Sequence, residues 1–239
     1  MLLSVLTCNT LFGKAIGELN EIAKKNKVDV VSLQEVETEE ENLKQINGDD
    51  YLLADFSNSF IQFNQIFGLA TYYRKDSLSF NESENFGLTR SLPETLMMFL
   101  RVGRSERTVL KTEFTVKSTG KKLTVYNIHC SSWSTNKVRD RQIQQLLSDL
   151  QTDFPNPTII MGDFNYPYGR RKFEKLISRY GLKEATNNIF YSYEFKLFGF
   201  IPIKWKNDYI LYKNLILKET KRLKINSSDH YPIISTFET

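Results

Sequence analysis

The stretch Thr158-Ile-Ile-Met-Gly-Asp-Phe-Asn-Tyr-Pro167 decides how this chain is read. The apolar run from Thr158 to Met161 reads as a buried strand. Gly162 ends it, and Asp163 and Asn165 stand at its tip ahead of Pro167. Two residues apart in extended backbone, these two side chains point the same way. A carboxylate beside a carboxamide suits work on a water molecule and a phosphate oxygen: one accepts a proton or holds a metal, the other donates to an oxyanion. A strand running into an Asx-rich turn has the same appearance. The meaning of the stretch therefore depends on what the chain places at its other strand ends.

Moving outward, the pattern repeats. Residues 2–7 read as a strand ending at Asn9, and 28–34 as a strand running into Glu35. Residues 109–117 and 122–128 alternate around Ser118-Thr-Gly-Lys121, a hairpin signal, and the second arm ends at His129. Two later strands begin with polar residues instead: Asp208 before 209–212, and Asp229-His230 before 231–237. Further strands fit 67–74 and 78–86. If the two late strands run opposite to the others, all these side chains meet at one edge.

Amphipathic helices fit 14–27 (Ile16, Leu19, Ile22, Ala23), a segment capped by Ser134 or Thr135 (Ile143, Leu146, Leu147, Leu150), and 170–180, stopped by Gly181. Acidic residues 37–41 open a solvated helix or loop. Residues 90–107 mix Pro93, Leu96, Met97 and Met98 with four arginines and predict a loop bordering the site. Helices that enter between strands, several of them hairpin-linked, predict an α+β fold: two mixed, mostly antiparallel sheets packed together with helices outside, a four-layer α/β/β/α sandwich. Since the site residues run from Asn9 to His230, the expectation is one domain over 1–239.

Composition narrows the classes. No apolar stretch is long enough to span a bilayer, and the first residues alternate like a strand rather than a secretion signal; the expected compartment is the cytoplasm. Cys8 and Cys130 are too few for a disulfide scaffold and are read as reduced, buried thiols. A net charge of +4 is compatible with a polyanionic substrate without requiring one.

The strand-end set is rich in oxygen: Glu35, Asp163, Asp208, Asp229, Asn9 and Asn165, joined by both histidines of the chain, His129 and His230. Hard oxygen donors with few nitrogens suit magnesium, or manganese, better than zinc. Crowded carboxylates raise one another's pKa unless a cation sits among them. A divalent ion with a histidine and a carboxylate equips a site for attack of water on a phosphate ester.

Six pieces in order, Thr7-Cys-Asn9, Leu33-Gln-Glu-Val36, Tyr126-Asn-Ile-His129, Gly162-Asp-Phe-Asn165, Asn207-Asp-Tyr-Ile210 and Ser228-Asp-His-Tyr-Pro232, resemble the endonuclease/exonuclease/phosphatase superfamily. They span nearly the whole chain. The resemblance implies a metal-dependent phosphoric ester hydrolase, with Glu35 as principal metal ligand and Asn9 and Asp229 near the ion. It implies that Asp163 orients or deprotonates the attacking water, that Asn165 and His129 hold phosphate oxygens, and that His230 contacts the phosphate with its orientation fixed by Asp208. It adds an arginine from the segment before the hairpin, Arg107 first and Arg101 second. The chain departs from the pattern at Lys206-Asn207, where many members carry Arg-Ile.

Within the superfamily the first expectation is a DNA endonuclease or exonuclease. The alternatives are a lipid or inositol-phosphate phosphohydrolase and a non-catalytic binding module. Residues 190–205 are strongly aromatic and leave three readings: a hairpin packed in the core, a substrate loop on which bases stack (Tyr193, Trp205), or an apolar hairpin dipping into a membrane interface. Arg170-Arg171-Lys172 opens a helix with cations that the macrodipole disfavours, which makes Arg170 a further phosphate-contact candidate. No protein partner is inferred.

Overall fold

The computed structural model describes residues 1–46, 48, 50–62, 64–91, 94–96, 107–132, 134–150 and 155–239. Two six-stranded sheets form its body. The first runs in the order β13 (Ile216–Arg222), β14 (Ile233–Glu238), β1 (Leu2–Asn9), β2 (Val30–Glu37), β4 (Gln65–Arg74) and β3 (Tyr51–Gln62). The second runs β5 (Leu78–Leu88), β6 (Arg107–Val116), β7 (Lys122–His129), β8 (Thr158–Asp163), β12 (Asp208–Lys213) and β9 (Lys183–Glu184). A separate hairpin pairs β10 (Tyr193–Leu197) with β11 (Ile201–Trp205).

Two pairs are parallel, β1 with β2 and β7 with β8, and the rest are antiparallel. Parallel neighbours need a crossover. Helix α1 (Ile16–Lys25) supplies the first, and α3 (Asn136–Asp149) supplies the second; α2 (Glu40–Leu43) and α4 (Arg170–Ser178) follow β2 and β8. Apolar spacing explains which face each helix buries. Ile16, Leu19 and Ala23 of α1 pack on the outer face of the first sheet with Leu6, Cys8 and Val31. Ile143 and Leu147 of α3 and Phe173 of α4 cover the outer face of the second with Tyr126, Ile160 and Tyr209. Between the sheets lie Leu3, Val5 and Val30 from one side and Phe114, Val125, Ile159 and Met161 from the other. These are the four layers expected.

A buried polar connection joins the two sheets close to the strand ends. Gln34 on β2 donates from Nε2 to Asn127 Oδ1 on β7 at 2.8 Å, and Asn127 Nδ2 donates back to the carbonyls of Leu33 (3.0 Å) and Ala70 (3.1 Å). Both side chains are fully buried.

Two long strands were not anticipated. β3 shifts register at Leu53/Asp55 and at Asn58/Phe60, which breaks the period-two pattern that marks a strand. β13 is a largely polar edge strand with its own irregularity at Leu217/Glu219. Thr135 does occupy the N-cap of α3, but its side chain makes no capping bond. Arg107 belongs to β6 rather than to a loop, and residues 94–96 form a helical turn. Pro93, Met97, Met98 and Arg101 lie outside the described residues. Both cysteines are free and buried. Among the described residues, no helix is long and apolar enough to cross a membrane.

Replacing Asn127 with Ala removes one of the three acceptors of Gln34 Nε2, which keeps Thr7 Oγ1 and Ser32 O, and takes the side-chain donor from two buried carbonyls, each unpaired group costing about 1–3 kcal/mol. Denaturant unfolding is expected to show a loss of about 2–4 kcal/mol. A loss below about 1 kcal/mol, the ordinary surface level, would remove the claim that this contact joins the sheets.

Candidate active site

The strand directions bring the polar tips together. Asn9 and Glu35 come from parallel neighbours in one sheet, His129 and Asp163 from parallel neighbours in the other. Asp208 pairs antiparallel with Asp163. Asp229 and His230 precede β14, which runs antiparallel to β1 and so starts where β1 ends. The site thus straddles the two sheets.

Local backbone aims each side chain. Glu35 sits at a bulge between Gln34 and Val36 with φ 56°, which turns it out of the ladder. Gly162 has φ 146°, and a Cβ there would lie 2.0 Å from Ile128 O, so only glycine lets β8 approach β7 this closely. Asp163 and Asn165 converge differently from the extended-strand expectation. The strand stops at Asp163, Asn165 adopts φ 48°, and its backbone N–H donates to Asp163 Oδ1 at 2.9 Å. An Asx turn, not strand alternation, sets their relation.

The contacts form a chain. Asn9 Nδ2 donates to Glu35 Oε1 at 3.1 Å and to Asp163 Oδ2 at 3.2 Å. His129 Nε2 lies 3.8 Å from Glu35 Oε1 and 3.6 Å from Asp163 Oδ2. His230 Nε2 lies 3.8 Å from Asp163 Oδ2, while its Nδ1 is 2.8 Å from Asp208 Oδ2. Asn165 Nδ2 donates to Cys130 O at 3.1 Å, and its Oδ1 faces Asn207 Nδ2 at 3.5 Å. Arg107 reaches the site: its Nη1 stands 3.2 Å from His129 Nδ1.

Burial and charge set the protonation states. Burial pulls His230 down, but the Asp208 and Asp163 carboxylates outweigh it and raise the imidazole to about 10, so it is cationic at neutral pH. Burial, with Arg107 and His230 adding to it, holds His129 well below its ordinary value and therefore neutral. Burial raises Glu35, Asp229 and Asp163, the last to about 7. Burial thus holds three carboxylates above their ordinary range despite the nearby His230 cation, and the buried Asp208 Oδ1 has no hydrogen-bond partner in the structure. Ligand atoms of Asp163, Asp208 and His230 lie within 4.8 Å of one another. The donor set fits a hard divalent cation. Of the two groups of acids, the Glu35 side suits it better, because His230 in the other trio is already paired with Asp208.

Two supports escaped the sequence reading. Glu94 anchors Arg107, accepting from its Nε at 3.0 Å, and also accepts from Ser131 Oγ at 2.5 Å. Ser91 and Glu94 exchange the reciprocal bonds of a capping box, Ser91 N to Glu94 Oε2 at 3.2 Å and Glu94 N to Ser91 Oγ at 3.2 Å. The Ser-x-x-Glu spacing was the available signal. Ser192 Oγ accepts from the backbone N–H groups of Asn207 (3.1 Å) and Asp208 (2.9 Å), and nothing in the sequence marks it.

Of the outlying candidates, Tyr193 packs its ring 4.8 Å from that of His230 and 6.1 Å from that of Trp205. The core-packed reading of residues 190–205 is overturned. The hairpin stands outside both sheets with Phe198 80% and Phe200 74% exposed at its tip. Arg170 is engaged by Glu174, Glu184 and Asn187, away from the cluster.

The model of the Endonuclease/Exonuclease/phosphatase family matches residues 6–230, and the chain belongs to that family. No curated protein matches it by sequence. Among solved structures, an endonuclease/exonuclease/phosphatase family protein from Leptotrichia buccalis is 22% identical, with 99% of this chain and 100% of that one covered and a TM-score of 0.74. A mannosyl-6-phosphatase from Bacteroides thetaiotaomicron is 17% identical over 99% of this chain and 100% of its own, at a TM-score of 0.73. TDP2 from D. rerio, complexed with single strand DNA product, is 17% identical over 100% and 99%, also at 0.73. These likenesses establish the shared fold.

A raised folded-state pKa means that the native state holds its proton more tightly than the unfolded chain. That stabilisation is complete below the unfolded value and disappears as pH rises through the folded one. For Asp163 the window runs from about 4, the unfolded carboxyl, to about 7. In EDTA, the stability difference between Asp163→Asn and its parent should shift in the variant's favour across that window. A difference that stays flat with pH would show that Asp163 is not held protonated by its surroundings.

Proposed function

We propose that this protein is a magnesium-dependent phosphodiesterase that hydrolyses nucleic acid by in-line attack of water. The observation that carries the reading is the buried Asp208–His230 pair, 2.8 Å apart, set against Asp163 with Asn9 and Glu35 alongside. Glu35 would hold the metal, with Asn9 and Asp229 beside it. A bound magnesium ion polarises the phosphate and offsets the negative charge that builds up in the transition state.

The chain's own groups do the rest. Asp163, its basicity raised by burial, takes the proton of the attacking water. His230, kept cationic by Asp208, donates from Nε2 to a phosphate oxygen. Arg107 brings a second fixed cation, held in direction by Glu94. His129 and the remaining donor hydrogen of Asn165 Nδ2 orient the remaining oxygens.

The nucleic-acid substrate is supported by the wall beside His230. Tyr193, Phe195 and Trp205 lie within 6.1 Å of one another, ring centre to ring centre, and Lys196 and Lys204 flank them on the exposed hairpin. Bases stack on such platforms while cations track the backbone. A second reading, a phosphoester of a membrane lipid, is favoured by one observation: the apolar tip of the same hairpin, Phe198 to Ile201, is exposed.

The test is a labelled panel of single- and double-stranded DNA, abasic duplex, RNA and phospholipid vesicles, with magnesium or with EDTA. Cleavage of a nucleic acid is expected, abolished by EDTA. It should fall by about 10²-fold or more in Asp208→Asn, which keeps the shape but not the charge beside His230. Release of a lipid head group with nucleic acid intact would replace the first reading by the second. No turnover of any substrate would sink both.

A further inference from the structure

Helices α3 and α4 both begin at the edge where β7 and β8 deliver His129 and Asp163. Asn136 at the start of α3 donates to Tyr168 O in the loop that leads into α4, so the two starts are tied together. Between the helices runs a cleft of about 250 Å³. Lys137, Arg141, Lys172, Lys175 and Arg179 line it. Their spacing is helical: Lys137 and Arg141 are one turn apart on α3, and Lys172, Lys175 and Arg179 follow one face of α4 and its end.

The charge of this cleft is lopsided. Five cationic side chains face one lining carboxylate, Asp140, which is buried and accepts from Tyr166 Oη and Lys172 Nζ. Among the described residues, Lys137, Arg141, Lys175 and Arg179 have no carboxylate partner. The cleft lining thus carries four more cationic than anionic side chains, in a chain whose formal net charge is +4. Neither helix places an acid in its first turn, where the macrodipole would favour one. Folding stability does not call for this arrangement; a polyanion does.

We infer that this cleft is an exosite for the phosphate backbone of a nucleic-acid strand, continuing the strand's path from the catalytic edge onto the outer helical layer. The longer row, Lys172 to Arg179, advances by seven helical steps, about 10 Å at 1.5 Å per residue. That length matches about three phosphates of one strand at 3.4 Å each along a duplex. Shape and charge, without base contacts, make the interaction independent of sequence. This inference rests on the nucleic-acid reading of the active site and extends it to a surface outside the catalytic cluster.

The test measures binding of a fluorescein-labelled single-stranded oligonucleotide by anisotropy in EDTA, where no strand is cut. Arg141→Glu with Lys175→Glu is compared with Lys24→Glu and Lys25→Glu, an equal change of charge on exposed positions of α1 in the opposite outer layer. Thermal unfolding checks that both variants keep their fold, and Arg141→Gln with Lys175→Gln stands in if reversal disrupts it. The cleft variant is expected to bind about 10-fold or more weakly, with a salt slope shallower by about one to two, while the α1 variant behaves like the parent. Equal binding by cleft and α1 variants would overturn the exosite while leaving the nucleic-acid reading intact. A parent protein that binds no oligonucleotide would overturn both. Loss of binding to anionic vesicles only, with oligonucleotide binding unchanged, would assign the cleft to a membrane surface and overturn the inference as well.

Discussion

The site exists because two sheets are held at one fixed separation. Asn9, Glu35, Asp229 and His230 belong to the first sheet or the loop entering it, while Arg107, His129, Asp163 and Asp208 belong to the second. Apolar packing alone is forgiving of small slides, since hydrophobic contact has little direction. The Gln34–Asn127 contact has direction. It joins the sheets one residue before Glu35 and two before His129, with both side chains fully buried. In such surroundings the bond between Gln34 Nε2 and Asn127 Oδ1 is held tightly because breaking it would leave further buried polar atoms unpaired. Bonds of 3.1–3.2 Å from Asn9 to both Glu35 and Asp163 need this separation to persist.

A second constraint is backbone strain at the strand ends. Glu35 and Asn165 both take positive φ, and Gly162 occupies a conformation and a space closed to other residues. Such positions persist where the surroundings over-determine them, and they cluster at functional sites. Here the surroundings are visible: Thr10 Oγ1 donates to the carbonyls of Gln34 and Glu35, and the Asp163 carboxylate holds the Asn165 amide. Electrostatics adds to the strain. Several acids are buried together, and the pairing of Asp208 with His230 relieves only part of their repulsion.

Much of this was legible in the sequence, for an identifiable reason. Strands buried on both faces read as apolar runs, so the polar residues at their ends stand out, and six of them in order mark one edge of a sandwich. The helices were legible because their apolar stripes are regular. What escaped was structure whose signal is spread out or broken. β3 loses its alternation to two bulges, and β13 is polar because it is an edge. Glu94 hid among arginines although its capping-box spacing to Ser91 was present. Ser192 acts through backbone groups of residues distant in sequence, which no local pattern records. The Asp163–Asn165 pairing was seen, but with the wrong local geometry, because an Asx turn and a strand end share a composition.

The β10–β11 hairpin meets the body of the protein at its base. Ser192 pairs with Trp205 and Tyr231, and Glu194 N–H donates to Asp229 O, all through the main chain. Toward the tip, Lys196 to Pro202 are exposed. Main-chain bonds are indifferent to side-chain identity, so residues 196–202 can be exchanged or lengthened without repacking a core residue or shifting the acid cluster. A surface whose base lies against His230 is therefore open to evolutionary drift at its tip, while the cluster behind it stays as it is.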